Sequence, residues 1–149
     1  MKKICFVCHG NICRSTMAEF VMKKLVADAG LSGEFLIESK ACHSDELGND
    51  TYPGTKEVLR KHNIPFTKRA AVKITKEDYA KFDFIIGMDK ENLADLLALT
   101  DNDPDKKISL LMEWAGRDDE VADPWYTHNF DITYEDVFEG CSCILAKLK

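Results

Sequence analysis

Short apolar runs alternate along the chain with stretches whose apolar residues recur every three or four positions. Ile4-Cys5-Phe6-Val7 is uniformly apolar, as a strand buried on both faces should be. Arg14 to Ala29 follows with Met17, Val21 and Leu25 at helical spacing, and Gly30 stands where such a helix would stop. Phe35-Leu36-Ile37 predicts a second strand. Pro53 opens a short helix through Val58 and Leu59 that ends near Asn63 and Pro65. Ala71 to Ile74 reads as a weak extended segment. Thr75 then caps a helix over Lys76 to Lys81, with Asp78 at its third position. Phe84 to Met88 predicts a third strand, and Asp89 caps a helix bearing Leu93, Leu96 and Leu97. Ile108-Ser109-Leu110 predicts a fourth strand, followed by a helical turn over Leu111 to Trp114. Gly116 to Ile132 is polar and has no periodicity, and a long structureless loop in a compact domain is usually functional. Thr133 is expected to cap a last helix to Lys149, with Val137, Cys141, Ile144 and Leu148 on one stripe.

The alternation implies an α/β protein with a parallel sheet of four strands. The 149 residues suit a single domain, 1–149, with no repeat, low-complexity tract or linker to divide it. No apolar run approaches the ~20 residues that span a bilayer, and the N-terminal apolar run is too short for a secretory signal. A cytoplasmic protein with no membrane partner is expected. The net charge of -6, with no lysine- or arginine-rich block, argues against nucleic acid as a partner. An anionic ligand would need a local positive pocket.

Six cysteines exceed what structure requires. Cys5 and Cys8 match Cys-x-x-Cys, but strand positions three apart face opposite sides. Cys141 and Cys143, two apart on a helix, share no face either. His43, His62 and His128 stand at no metal-ligand spacing from one another or from the cysteines. Neither a metal nor a cofactor is expected.

One segment carries chemistry. Cys8-His9-Gly10-Asn11-Ile12-Cys13-Arg14-Ser15 lies between the first strand and the first helix. The helix N-terminus directs free N–H groups and a positive dipole end into such a loop. Arg14 adds a two-pronged donor suited to phosphate, and a cysteine held in that field should ionise readily. Gly10 allows close backbone approach, and Asn11 tolerates a left-handed turn that aims successive N–H groups inward. Ser15 can cap the helix or hydrogen-bond the Cys8 sulfur. The plain alternative is a buried cysteine beside a surface arginine.

Val7 to Glu19 resembles the signature of the low-molecular-weight protein tyrosine phosphatases. The likeness extends to Ser39, to Ile74-Thr75-Lys76-Glu77-Asp78-Tyr79, to Met88-Asp89 and to Asp123-Pro124-Trp125-Tyr126, so it covers essentially the whole chain in family order. The resemblance implies a three-layer, doubly wound (flavodoxin-like) fold with a central four-stranded parallel sheet flanked by helices. It implies metal-independent hydrolysis of phosphotyrosine and small aryl phosphates through a phosphocysteine. Cys8 would be the nucleophile, Arg14 would hold the phosphate and its transition state, and Asp123 would be general acid and then base. His9, Gly10, Asn11, Ile12, Cys13 and Ser15 would form the phosphate loop, which Asn11 and Ser39 brace. Ser15 would stabilise the thiolate. Trp125 and Tyr126 would wall a slot too deep for phosphoserine, or else pack as ordinary loop residues. Cys13 would pair with Cys8 under oxidation, or be a small buried residue. His9 stands where the family often has an aliphatic residue, at the entrance or facing solvent. Phosphotyrosine proteins or aryl phosphates would be the substrates, with inorganic phosphate released by a monomer.

Two positions depart from the family pattern. Thr16 replaces a common proline, with little consequence expected. In Lys68-Arg69-Ala70-Ala71-Val72-Lys73, Val72 stands where a second arginine is usual, which puts that arginine's bonds to the loop support in doubt. An arsenate reductase on the same scaffold would need a further reactive cysteine pair. None lies near Met88, and Cys42, Cys141 and Cys143 are poorly placed for it. A non-catalytic phosphotyrosine-binding module would need neither Cys8 nor Asp123. A nucleotide-binding protein would carry a glycine-rich phosphate motif that is missing here.

Overall fold

The apolar N-terminal run becomes β1 (Lys2–Cys8), an inner strand of the sheet, in a computed structural model that describes residues 1–149. β2 (Phe35–Ala41), β3 (Phe84–Gly87) and β4 (Ile108–Leu110) complete four parallel strands in the order β2-β1-β3-β4. Cys8 pairs in register with Ala41 at one edge, and Val7 with Gly87 at the other. β1 is flanked on both sides and covered on both faces, which is why it lacks polar alternation.

The strand period of two divides the core. Ile4, Phe6 and Cys8 face the larger cluster, with α1 (Arg14–Asp28), α2 (Pro53–Lys61), α5 (Leu111–Trp114) and α7 (Phe130–Leu148) packed over it. Cys5 and Val7 face the smaller one, under Phe82, which ends α3 (Lys76–Lys81), and Leu96 of α4 (Lys90–Leu99). Cys5 and Cys8 therefore lie on opposite faces, as their spacing predicts. Gly140 lets α7 approach α5 closely: a Cβ there would lie 2.5 Å from Leu111 Cγ.

Local signals place most element ends. Thr75 and Asp89 cap α3 and α4 with reciprocal capping boxes. Gly30, at φ 73°, turns the chain after α1. Three expectations change. α7 starts four residues early: the Asn129 side chain accepts from Ile132 N–H at 3.2 Å and is its cap. Thr133 instead donates to the Ala122 carbonyl at 2.8 Å, tying the preceding segment to α7. The stretch 116–132 is not wholly irregular, because Asp123 caps the single turn α6 (Pro124–Thr127), with proline at its first position. Ser15 caps nothing; α1 begins at Arg14, and the serine hydroxyl turns to the cysteine.

Candidate active site

The loop between β1 and α1 lies at the carboxyl end of the sheet, where the winding reverses between β2 and β3. Open α/β sheets bind ligands at such points. A cavity of about 650 Å³ opens there. Cys8, His9, Gly10, Ile12, Cys13 and Arg14 line it from the loop, and Asp123, Trp125 and Tyr126 from the distant segment around α6. Asn11, Ser15 and Ser39 are buried behind it.

Asn11 is the hub of that support. Its φ of 59° makes the left-handed turn that asparagine tolerates. Its side-chain oxygen receives Arg69 Nη2 and, at 3.3 Å, the Val72 N–H. Both are pure donors, which fixes the orientation of the amide. Nδ2 then donates to Ser15 Oγ at 2.8 Å and to Ser39 Oγ at 3.0 Å. Ser39 donates its own O–H to Glu19 Oε1 at 2.5 Å. The Cys8 thiol donates to Ser15 Oγ at 3.1 Å, and when the sulfur is a thiolate the hydroxyl, already accepting from Asn11, is free to donate to it. The network thus has a direction, and it ends at sulfur.

Arg14 is almost wholly buried, its side chain 4% exposed. Nη1 donates to Asp89 Oδ2 at 2.8 Å and to the Val121 carbonyl at 3.4 Å; Nη2 reaches Asp123 Oδ2 at 3.3 Å. Burial works against its charge, yet Cys8, Asp123 and Asp89 outweigh that, and its pKa lies above the usual arginine range. The guanidinium is therefore fixed, charged and aimed. Burial, then the charge of Cys8, pushes the Cys13 thiol up to about 12.

Trp125 and Tyr126 are 56% and 80% exposed. Trp125 meets Tyr52 edge-on at 5.5 Å, and Tyr52 stacks on Phe130 at 5.7 Å. His9 stands at the rim, its Nε2 2.7 Å from Asp45 Oδ2, and that hydrogen bond raises its pKa.

Three supporting residues escape a sequence reading. Asp89 reads as a helix cap and is one through Oδ1, but Oδ2 orients Arg14. Glu19 reads as an ordinary helix residue. Arg69 donates Nη1 to the Asn11 carbonyl at 2.9 Å, so one arginine holds both oxygens of Asn11. Arg69 thus braces the loop from this segment, and Val72 adds its backbone N–H to the Asn11 side-chain oxygen. Thr16, in the place of a proline, donates to the Cys13 carbonyl at 3.0 Å.

The sequence profile described as "Low molecular weight phosphotyrosine protein phosphatase" matches residues 3–149. The Bacillus subtilis low molecular weight protein-tyrosine-phosphatase YfkJ is 35% identical over 100% of this chain and 97% of its own. The YfkJ crystal structure superposes with a TM-score of 0.95 over 99% of this chain and 94% of that one. SP-PTP from Streptococcus pyogenes, 43% identical, gives 0.90 over 100% and 94%. The chain belongs to the low-molecular-weight phosphotyrosine protein phosphatase family. It is a hydrolase.

Proposed function

We propose that the protein hydrolyses phosphotyrosine in proteins, and small aryl phosphates, in two displacements at Cys8. The thiolate attacks phosphorus, forming a S–P bond as the P–O bond to the phenol breaks, and Asp123 delivers a proton to the departing oxygen. Asp123, now a carboxylate, takes a proton from water as that water attacks the phosphocysteine. Inorganic phosphate leaves, and sulfur regains its electron pair under the Ser15 hydroxyl. Arg14 binds two phosphate oxygens and is most effective where negative charge develops in the transition state. The Arg14–Asp123 contact yields when phosphate arrives between them, freeing Asp123 for the leaving group. Trp125 and Tyr126 flank the aryl ring.

The observation that carries this reading is the convergence of Cys8, Arg14 and Asp123 on one cavity, with the guanidinium 3.3 Å from the carboxylate. One chain supplies every residue of the site, which supports action as a monomer. Its six unpaired thiols suit the reducing cytoplasm. The test is turnover of p-nitrophenyl phosphate with a chelator present. Wild type hydrolyses it and Cys8→Ser does not. Binding without turnover by wild type, or thiol-dependent arsenate reduction in place of hydrolysis, would overturn the proposal.

A further inference from the structure

No spacing in the sequence marks a metal site, yet the fold brings two histidines together at the mouth of the cavity. His9 of the phosphate loop and His43, just beyond β2, stack with ring centroids 4.3 Å apart. Their backbones hold the pair in place, since the His43 N–H donates to the His9 carbonyl at 3.0 Å. One ring nitrogen of each, and a carboxylate oxygen of Glu91 in the first turn of α4, lie within 4.8 Å of one another.

The outer nitrogens already have partners. His9 Nε2 is 2.7 Å from Asp45 Oδ2, and His43 Nε2 is 2.8 Å from Asp95 Oδ2. A carboxylate on Nε2 keeps the proton there and leaves the Nδ1 lone pair for a ligand, the pairing that typically surrounds metal-bound histidine. His9 Nδ1 stands 3.6 Å from Glu91 Oε1. Two ligand atoms on tetrahedral zinc, with bonds of about 2.0–2.1 Å, lie roughly 3.3 Å apart. That pair is thus near ligating separation; the stacked rings, 25° apart, must turn against each other for both lone pairs to meet one ion, and each side chain is part-exposed and able to turn. Two imidazoles and one carboxylate suit a late first-row divalent ion; magnesium and calcium prefer all-oxygen shells.

We propose that His9, His43 and Glu91 bind a zinc-class divalent cation at the rim of the active-site cavity, with Asp45 and Asp95 orienting the two imidazoles. Three protein ligands leave a fourth position open. His9 and Glu91 both line the cavity, so the ion places positive charge beside Asp45 and Glu46, where an entering anion would meet it. Chemistry at Cys8 does not need this ion, so the inference goes beyond the hydrolytic reading and does not depend on it.

The experiment is calorimetric titration of Zn²⁺ into Cys8→Ser, which lacks the thiolate that would compete for zinc. One ion per chain is expected, unaffected by excess Mg²⁺. Adding His43→Ala should weaken binding at least ~10-fold, and adding Asp95→Asn by about 10-fold, the usual effect of losing an outer carboxylate. Retained p-nitrophenyl phosphate turnover by His43→Ala, with Cys8 intact and a chelator present, shows that this variant folds. Absence of zinc binding by Cys8→Ser, or binding that survives both added substitutions, overturns the site. Because binding is read without the nucleophile, either result leaves the phosphatase reading untouched.

Discussion

The two walls of the cavity are built in opposite ways. In the phosphate loop Asn11 is fully buried and Arg14 is 3% exposed, and both Asn11 amide atoms and both terminal Arg14 nitrogens are tied to named partners. In the facing wall Trp125 and Tyr126 stand largely in solvent, on a single helical turn. The difference follows from what each must recognise. A phosphoryl group changes charge distribution within a fraction of an ångström during reaction, so its donors must be in place beforehand. A leaving group has only to be stacked upon and given one proton, which exposed rings and one carboxylate can do without a rigid frame.

The largest expected effect falls on the carboxylate of the exposed wall, which handles the proton. Asp123→Asn should lower kcat for p-nitrophenyl phosphate by roughly 10²–10⁴, the typical contribution of a positioned acid. Wild-type kcat should follow a bell-shaped pH profile, because the first displacement needs a proton donor and the second a proton acceptor. The variant should lose the alkaline limb. A wild-type profile flat between about pH 5 and 7 would count against Asp123 as the acid.

Next comes the hub of the rigid wall. Asn11→Ala removes the partner of Arg69 Nη2 and the donor to both serines, and should cost about 2–3 kcal/mol in chemical denaturation, with a matching loss of kcat/KM. Full activity in that variant would mean that the loop needs no brace, and the contrast between the walls would fail. Tyr126→Ala should do the reverse: unchanged stability, unchanged kcat, and a KM for aryl phosphate raised roughly three- to tenfold, the worth of one aromatic contact.

The smallest effect concerns how the brace is anchored. Lys56, donating at 2.7 Å, and the Arg69 and Thr51 N–H groups hold the Asp50 carboxyl down at about 2 against its partial burial. A carboxyl lowered in the folded state stabilises above its unfolded pKa of roughly 3.9, and that contribution is lost as pH falls towards the folded value. Acid denaturation of wild type should therefore steepen below about pH 4, and Asp50→Asn should flatten that limb. Equal slopes would place no linkage at this carboxyl.

What was legible in the sequence tracks the range of the forces involved. Gly30, Thr75 and Asp89 act on backbone groups within a turn of themselves, so they mark their element ends whatever surrounds them. Cys8 and Arg14 are joined by a strand-to-helix loop too short to separate them. Thr133 misleads because its hydroxyl is claimed by the Ala122 carbonyl across the loop, which leaves Asn129 to cap α7.

The amino-acid order alone determined the α/β alternation, the opposite facing of Cys5 and Cys8, and the cysteine–arginine loop, because strand period, helix caps and helix N-termini are local properties of the chain. Only the tertiary structure decided that Arg69 braces Asn11, that Asp89 aims Arg14, and that His9, His43 and Glu91 converge at one rim. These partners stand far apart in sequence and meet through parallel crossovers. Their meeting depends on the register of β1 against β2 and β3, which is set by packing of the whole core and by no short stretch of it.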